Sequence, residues 1–283
     1  MSHHLLSQSG AVLGCDVGWS EKRKSSAACY LAFDRDGASI QIAPRFTAKH
    51  TDLERSLSAL VGRRPLLAAA FDGPFRRDLN QIGVYRACER VLTVGLAPLI
   101  GKPGQSSSPN GRKLNVAANA FVKTALAMGC IAEADHLAAI HPSAVAEAFP
   151  TSFLGTMLED GFHKPRKTRS DSYFERLTTD PRGDRLAGLV MSLLGGRPLR
   201  RRLQDVLNHD DRAAIVCAIT ALCIAARRYT AIGDDNGYII LPPPVVAGEC
   251  GLQPWAMKMI RTNVATANAH LIVEDEQEAR WVV

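Results

Sequence analysis

The residues best suited to chemistry in this sequence are acids that stand at the ends of apolar segments. Asp16 and Asp72 each end such a segment, Glu147 lies in a short one, and Asp210 and Asp211 open a long one. A carboxylate beside apolar strands is costly to bury unless a cation offsets its charge. Oxygen ligands suit Mg²⁺ and Mn²⁺, and two such ions about 3.5 to 4 Å apart hold a phosphate and activate water. We therefore predict a carboxylate cluster that binds Mg²⁺ or Mn²⁺.

Each of these acids also has a structural interpretation, which the sequence leaves open. Asp16 and Asp72 both precede glycine-containing segments in which an aspartate commonly makes a turn. Asp210 or Asp211 is suited to cap a helix and to interact with its positive end. Glu147 is compatible with an exposed strand end. The chemical interpretation therefore depends on the acids lying together.

Apolar periodicity predicts a sheet in the first quarter of the chain. Strands are predicted over 11–16, 27–33 and 39–46, a helix over 51–61 and a fourth strand over 66–71. The short links between the first three strands favour an antiparallel meander. This order places Asp16 at the end of the first strand and Asp72 at the end of the fourth.

Helical patterns dominate the rest of the chain. Helices are predicted over 85–94, 113–127 and 209–228, strands over 144–149 and 237–241, and a flexible Gly- and Ser-rich loop over 101–111. The segment 164–202 is predicted to be an inserted helical hairpin broken at Gly195-Gly196, and an appended helix is predicted over 255–269.

Positive charge is concentrated in one part of the chain. Residues 161–202 hold eleven Lys or Arg against four Asp or Glu, a local charge of +7 in a chain whose net charge is +6. An excess of this kind favours a polyanionic partner, because each neutralised phosphate releases a counterion. A solvated, arginine-rich helical insertion explains the same pattern.

Composition excludes several classes of protein. With 283 residues, 46% hydrophobic and 22% charged, the chain is an ordinary globular sequence. Its longest near-continuous apolar segment, 213–226, spans 14 residues, fewer than the roughly 20 needed to cross a bilayer. No secretory signal is recognisable, so we expect a cytoplasmic protein without membrane contact. The seven cysteines include no Cys-x-x-Cys pair, so we expect reduced core thiols.

Several short motifs, in the same order, resemble a known family. They are Gly14-Cys15-Asp16-Val17-Gly18-Trp19, Phe71-Asp72-Gly73-Pro74-Phe75, Arg86-Ala87-Cys88-Glu89-Arg90, Glu147-Ala148-Phe149-Pro150-Thr151, and His209-Asp210-Asp211 followed by Cys217-Ala218-Ile219-Thr220-Ala221. From about residue 11 to residue 242 the chain resembles the domain-of-unknown-function family four-twenty-nine, described as predicted ribonuclease-H-like nucleases. The resemblance implies an α/β fold with a ribonuclease-H-like mixed sheet.

The resemblance also implies roles for the acids. Asp16 would be the central ligand bridging two metals, Asp72 and Asp210 would complete the cluster, and Asp211 or Glu147 would be a further ligand or water-orienting base. Related enzymes often carry a second acid three residues after the first on the late helix, where this chain has Ala213. Asp211 cannot take that place, because neighbouring helix positions point about 100° apart.

Five basic residues are candidates for contact with substrate. Arg86 and Arg90 lie four residues apart on one predicted helix face, where they would bind a phosphate or pair with carboxylates. Lys102, Arg112 and Lys113 flank the glycine-rich loop and would close over substrate if that loop moves.

Together these patterns predict metal-dependent hydrolysis of a nucleic-acid phosphodiester, DNA or RNA. The predicted organisation is a ribonuclease-H-like domain over 1–244, with the basic insertion at 160–204, and a helical extension over 245–283. A non-catalytic nucleic-acid-binding module is the first alternative, favoured by the basic insertion and Ala213. A nucleotide-dependent phosphotransferase is the second, because actin-like folds also place an Asp-x-Gly turn after their first strand.

Overall fold

A computed structural model of the chain forms one mixed sheet with helices on both faces. It describes residues 6–76, 79, 85–101, 103–160, 162, 169–245, 250–275 and 280–282. The candidate Lys102 lies outside these residues. Within these residues the sheet has nine strands in the order β3-β2-β1-β4-β5-β7-β6-β8-β9, so the predicted α/β class is confirmed.

The first half of the sheet follows the predicted order. It consists of β1 (Gly10–Asp16), β2 (Ala27–Phe33), β3 (Ala38–Ile42), β4 (Ala68–Asp72) and β5 (Val145–Ala148). The strands β1, β2 and β3 form the expected antiparallel meander, while β4 and β5 add in parallel beside β1. The carboxyl ends of β1, β4 and β5 therefore meet at one edge of the sheet.

The second half of the sheet differs from the prediction. It consists of β6 (Tyr229–Asp234), β7 (Gly237–Leu241), β8 (His270–Glu274) and β9 (Arg280–Val282). Only β7 was expected. The segment predicted as a helical extension contributes β8 and β9 to the same sheet, with β8 antiparallel to β6, so the expectation of a purely helical extension is wrong.

The described helices cover both faces of the sheet. They are α1 (His50–Val61), α2 (Ala87–Thr93), α3 (Ala97–Ile100), α4 (Pro109–Ala127), α5 (Pro150–Thr156), α6 (Arg169–Thr178), α7 (Arg185–Leu193), α8 (His209–Ala225) and α9 (Pro254–Ala267). One face carries α8 with α5, α6 and α7 around it, and the other carries α1 and α4. None of these helices is long and apolar enough to cross a membrane.

Two predicted boundaries shift for local reasons. The predicted loop over 101–111 ends early, because Ser108 caps α4 by accepting a hydrogen bond from the Gly111 N–H, and the helix begins at Pro109. The basic segment forms α6 and α7, but the break between them lies at 179–184, and Gly195-Gly196 follows α7. The predicted position of the hairpin break is therefore wrong.

The helix α8 packs directly on β1 because Gly14 has no side chain. A Cβ at Gly14 would overlap the backbone nitrogen of Ala218 and the backbone oxygen of Ala214. This close approach explains why α8 is apolar on almost its whole circumference: it is covered by the sheet below and by α5, α6 and α7 around it. It also directs the amino terminus of α8 toward the carboxyl end of β1.

Gly14→Ala is expected to destabilise the fold by about 3 kcal/mol, because the helix must move away from the strand to admit the methyl group. Chemical denaturation followed by circular dichroism measures the effect. Gly104→Ala is the matched control, since nothing lies within 4 Å of a Cβ built there. Equal stability of the two variants would contradict the packing described for Gly14.

The cysteines occupy the apolar interior, as expected. All seven are free, and Cys15, Cys29, Cys88, Cys217 and Cys223 are buried. The thiols therefore contribute to packing between the sheet and its helices.

Candidate functional site

The centre of the candidate site is a pair of aspartates on adjacent parallel strands. In the register of β1 and β4, Asp16 stands directly opposite Asp72. Residues paired in this way place their side chains on the same face of the sheet. Asp16 shares its face with Gly14, two positions earlier, and therefore with α8. The prediction that these two strand ends come together is confirmed.

The first turn of α8 lies at the same edge of the sheet. Its cap is Asn208, whose side-chain oxygen accepts hydrogen bonds from the N–H groups of Asp210 at 3.0 Å and Asp211 at 3.2 Å. The interpretation of Asp210 or Asp211 as the helix cap is therefore wrong. Both carboxylates remain available at the edge where Asp16 lies.

Burial and neighbouring negative charge raise the pKa of both strand-end carboxylates. The pKa of Asp16 lies well above its usual value, because of burial first and then because of the negative charges of Asp72, Asp210 and Asp211. Burial, with a smaller contribution from Glu147, raises the pKa of Asp72 to about 7. These acids are thus close enough to interact strongly.

Stability of the metal-free protein is expected to rise on acidification through the pKa of Asp72. The pKa is about 7 in the folded state and about 4 in an unfolded chain, so between these values the folded state binds more protons. The contribution of Asp72 to the stability of the fold therefore grows as pH falls from about 8 to about 5 and is lost as pH rises.

Thermal unfolding in EDTA of wild type and Asp72→Asn across this pH range measures the effect. The variant should be the more stable protein at about pH 8 and should lose that advantage at about pH 5. A stability difference that does not change with pH would contradict the raised pKa.

The predicted set of three metal ligands is not assembled. Among the described residues, no group of three or more His, Cys, Asp or Glu side chains is arranged to hold one ion. Asp210 instead faces Arg45, whose Nη1 lies 3.7 Å from its Oδ2. The pair of Asp16 and Asp72 nevertheless fits Mg²⁺, which proteins usually hold through one or two carboxylates, with waters and substrate phosphates completing the shell.

Glu147 lies on the other face of the sheet. Its register partner on β4 is Phe71, not Asp72, and Phe71 packs in the core beneath α1 and α4. Both oxygens of Glu147 accept hydrogen bonds from the Arg86 guanidinium, at 2.6 and 2.7 Å. Its predicted role as a ligand or base beside Asp16 is therefore wrong.

Arg86 has a structural role for the same reason. Its side chain is 1% exposed and also donates from Nε to Glu89 at 2.9 Å. The structure thus favours pairing with carboxylates, one of the two sequence interpretations, over contact with phosphate. Arg90 donates to the backbone oxygen of Ala267 at 2.8 Å, so this residue also ties helices together.

Arg112 and Lys113 remain candidates for contact with substrate. Both are exposed in the first turn of α4. The next residue, Leu114, packs over Gly73, where a Cβ would lie 3.1 Å from its side chain. The start of α4 therefore lies beside the end of β4 that carries Asp72.

The basic segment does not form one free cationic surface in the described part of the chain. Arg182 pairs with Glu159 at 2.6 Å and with Asp180 at 2.8 Å, and Arg200 pairs with Asp34 at 2.8 Å. Acids therefore pair with part of this basic segment, while Arg201 and Arg202 are exposed. Contact between this segment and a polyanionic partner remains a prediction.

Comparison with known proteins identifies no relative. No family model, curated protein or solved structure matches the chain. The resemblance to family four-twenty-nine and the ribonuclease-H-like assignment therefore remain predictions.

Sequence patterns gave no indication of Arg45 at this edge, and they indicated Arg201 only as part of the basic segment and His209 only as a neighbour of the acids of α8. Arg45 follows β3 and reaches Asp210, and Arg201 lowers the pKa of Asp211, although burial keeps that pKa raised. The positive charge of His209 lowers the pKa of Asp72 against the effect of burial. The Nδ1 atom of His209 lies 3.1 Å from Asp171. Arg45 comes near the acids through the fold, because it lies 165 residues from Asp210 in the chain.

Proposed function

We propose that this protein is a metal-dependent hydrolase of nucleic-acid phosphodiesters with a ribonuclease-H-like arrangement of strands. The observation that carries the proposal is the pair of Asp16 and Asp72, aligned on adjacent parallel strands with raised pKa values. Among the described residues, no Lys or Arg shifts either pKa, and only His209 opposes the rise for Asp72. Two buried carboxylates are costly in themselves, and a divalent cation offsets that cost.

Asp16 and Asp72 would hold the ion between the ends of β1 and β4. A bound Mg²⁺ or Mn²⁺ supplies an activated water and neutralises charge on the phosphate. Asp210 and Asp211, at the start of α8, are placed to accept hydrogen bonds from water near that ion. His209, whose imidazole is oriented by Asp171 at 3.1 Å, is suited to hold or donate a proton at the same edge.

Arg45 and Arg201 would hold the substrate phosphate. Arg45 has about half of its side chain exposed, and Arg201 is also exposed. Their charges act on Asp211 and lower its pKa against the effect of burial. Guanidinium groups next to an acidic metal site suit a phosphodiester, which is anionic and binds both a cation and paired N–H donors.

One observation favours the alternative, a nucleic-acid-binding module without catalysis. The position of the second late-helix acid is Ala213, which is 6% exposed, and no three-ligand group is present among the described residues. A module of this kind would bind nucleic acid in a salt-dependent manner and would not turn it over.

Incubation with labelled DNA and RNA, with Mn²⁺ or with EDTA, tests the proposal. We expect cleavage in Mn²⁺ and none in EDTA. Binding without cleavage under both conditions would contradict the hydrolase and support the alternative. Calorimetric titration with Mn²⁺ alone provides a second readout, since heat of binding must be lost when Asp72 is replaced by Asn.

A further inference from the structure

An exposed tryptophan lies close to the candidate site. Trp19 is three residues beyond Asp16, and half of its surface is exposed. Its indole offers a large, flat apolar surface to a ligand. Trp255, by comparison, is partly buried and donates from Nε1 to the Leu158 oxygen at 2.9 Å.

The loop that carries Trp19 is held by hydrogen bonds on both sides of it. The Gly18 N–H donates to the Ser26 hydroxyl at 3.2 Å. The Ser20 hydroxyl accepts from the Arg23 N–H at 2.9 Å, and the Ser20 carbonyl accepts from the Ala48 N–H, also at 2.9 Å. The indole is therefore presented from a fixed backbone.

Positive charge accompanies the tryptophan. The residues Lys22, Arg23 and Lys24 follow it after Ser20 and Glu21 and are all exposed. Lys24 and Arg45 also line a groove of about 450 Å³ between β3 and α1, which is within the size range of small-molecule sites. Arg45 reaches Asp210 at 3.7 Å, so the groove leads to the acidic edge.

We propose that Trp19 is a stacking platform for a base of single-stranded nucleic acid, with Lys24 and Arg45 holding the adjacent phosphates in the groove. The proposal names the form of substrate for the hydrolase proposed above and rests on that function. In a duplex both faces of each base are covered by neighbouring bases, whereas a single strand leaves a base face free for an indole. The favoured substrate is therefore a single strand that passes from the groove across Asp16.

Charge and geometry favour this ligand over a protein partner. Exposed cations follow Trp19, and Lys24, Arg45 and Arg55 line the groove, whereas protein interfaces are depleted in charged residues at their centre. An aromatic ring interleaved with cations is typical of sites that follow a sugar-phosphate backbone without reading its sequence.

Fluorescence anisotropy of a labelled mixed-sequence oligonucleotide of about 12 nucleotides, single-stranded or annealed to its complement, tests the inference. In EDTA, we expect Trp19→Ala to weaken single-strand binding by about 10- to 100-fold, as stacking contributes about 1 to 3 kcal/mol per base. Trp19→Phe retains a ring and should stay within about threefold of wild type. The matched control is Val94→Ala, which trims a side chain that is 58% exposed at the end of α2.

A second readout is the intrinsic fluorescence of the protein, which has three tryptophans. Addition of unlabelled single strand should quench wild type more than Trp19→Phe. Equal affinity for single strand and duplex, unchanged affinity of Trp19→Ala, or Trp19-dependent binding to phosphatidylserine vesicles without oligonucleotide binding would each overturn the inference.

The same assay separates this inference from the proposed hydrolase. Asp16→Asn should bind the single strand at least as tightly as wild type. If wild type binds through Trp19 and never cleaves, the stacking site stands and the hydrolase fails. If cleavage depends on Asp16 but not on Trp19, the hydrolase stands and the stacking site fails.

Discussion

Asp16→Asn is expected to abolish metal-dependent hydrolysis, by a factor of about 1,000 or more, and to raise the unfolding temperature of the metal-free protein. A metal ion contributes several kcal/mol to transition-state stabilisation, at 1.36 kcal/mol for each factor of ten in rate. Loss of one of its two carboxylates removes most of that contribution. The same change relieves the repulsion between Asp16 and Asp72 that raises the pKa of Asp16 beyond the effect of burial.

The opposite signs of the two effects make the prediction specific. Rates of oligonucleotide cleavage in Mn²⁺ and thermal unfolding in EDTA provide the two measurements. Asp36→Asn is the matched control, because Asp36 is exposed in the turn between β2 and β3 and should change neither quantity. A variant that loses both activity and stability would indicate that Asp16 is a structural residue.

The pairing of Asp16 with Asp72 was predictable from sequence because both signals are local. Asp16 and Asp72 each follow a short apolar strand, and parallel pairing of the strands aligns their ends without further information. The meander and the helix before β4 were predictable for the same reason. Strong apolar periodicity and short turns specify them within a few residues.

Glu147 shows where this reasoning fails. It also lies at the end of an apolar strand, but alternation along β5 places it one position away from the partner of Asp72. A shift of one residue moves a side chain to the opposite face of a sheet. The register of β5 depends on its long connection to β4, and no local signal in the sequence sets it.

The strand β6 was missed because no turn signal separates it from the predicted helix, which ends at residue 228. The chain turns at Arg227, whose φ is 52°, a left-handed conformation for which glycine is the usual residue. Without a glycine or proline there, the sequence does not mark the turn that leads into β6. The start of β8 is similarly marked by Asn268, with φ 50°, which the sequence interpretation left inside a helix.

Arg86→Met is expected to destabilise the protein by about 3 to 5 kcal/mol, because it leaves the buried carboxylates of Glu89 and Glu147 without their common partner. Urea denaturation measures the loss, and Arg90→Met, which removes one hydrogen bond to a backbone oxygen, should cost only about 1 kcal/mol. Adding Glu147→Leu to Arg86→Met should restore part of the stability, since one unpaired charge is then removed. A double variant that is no more stable than Arg86→Met alone would show that other groups compensate the charge of Glu147. The ion pair between Arg86 and Glu147 would then not be what holds β5 to the start of α2.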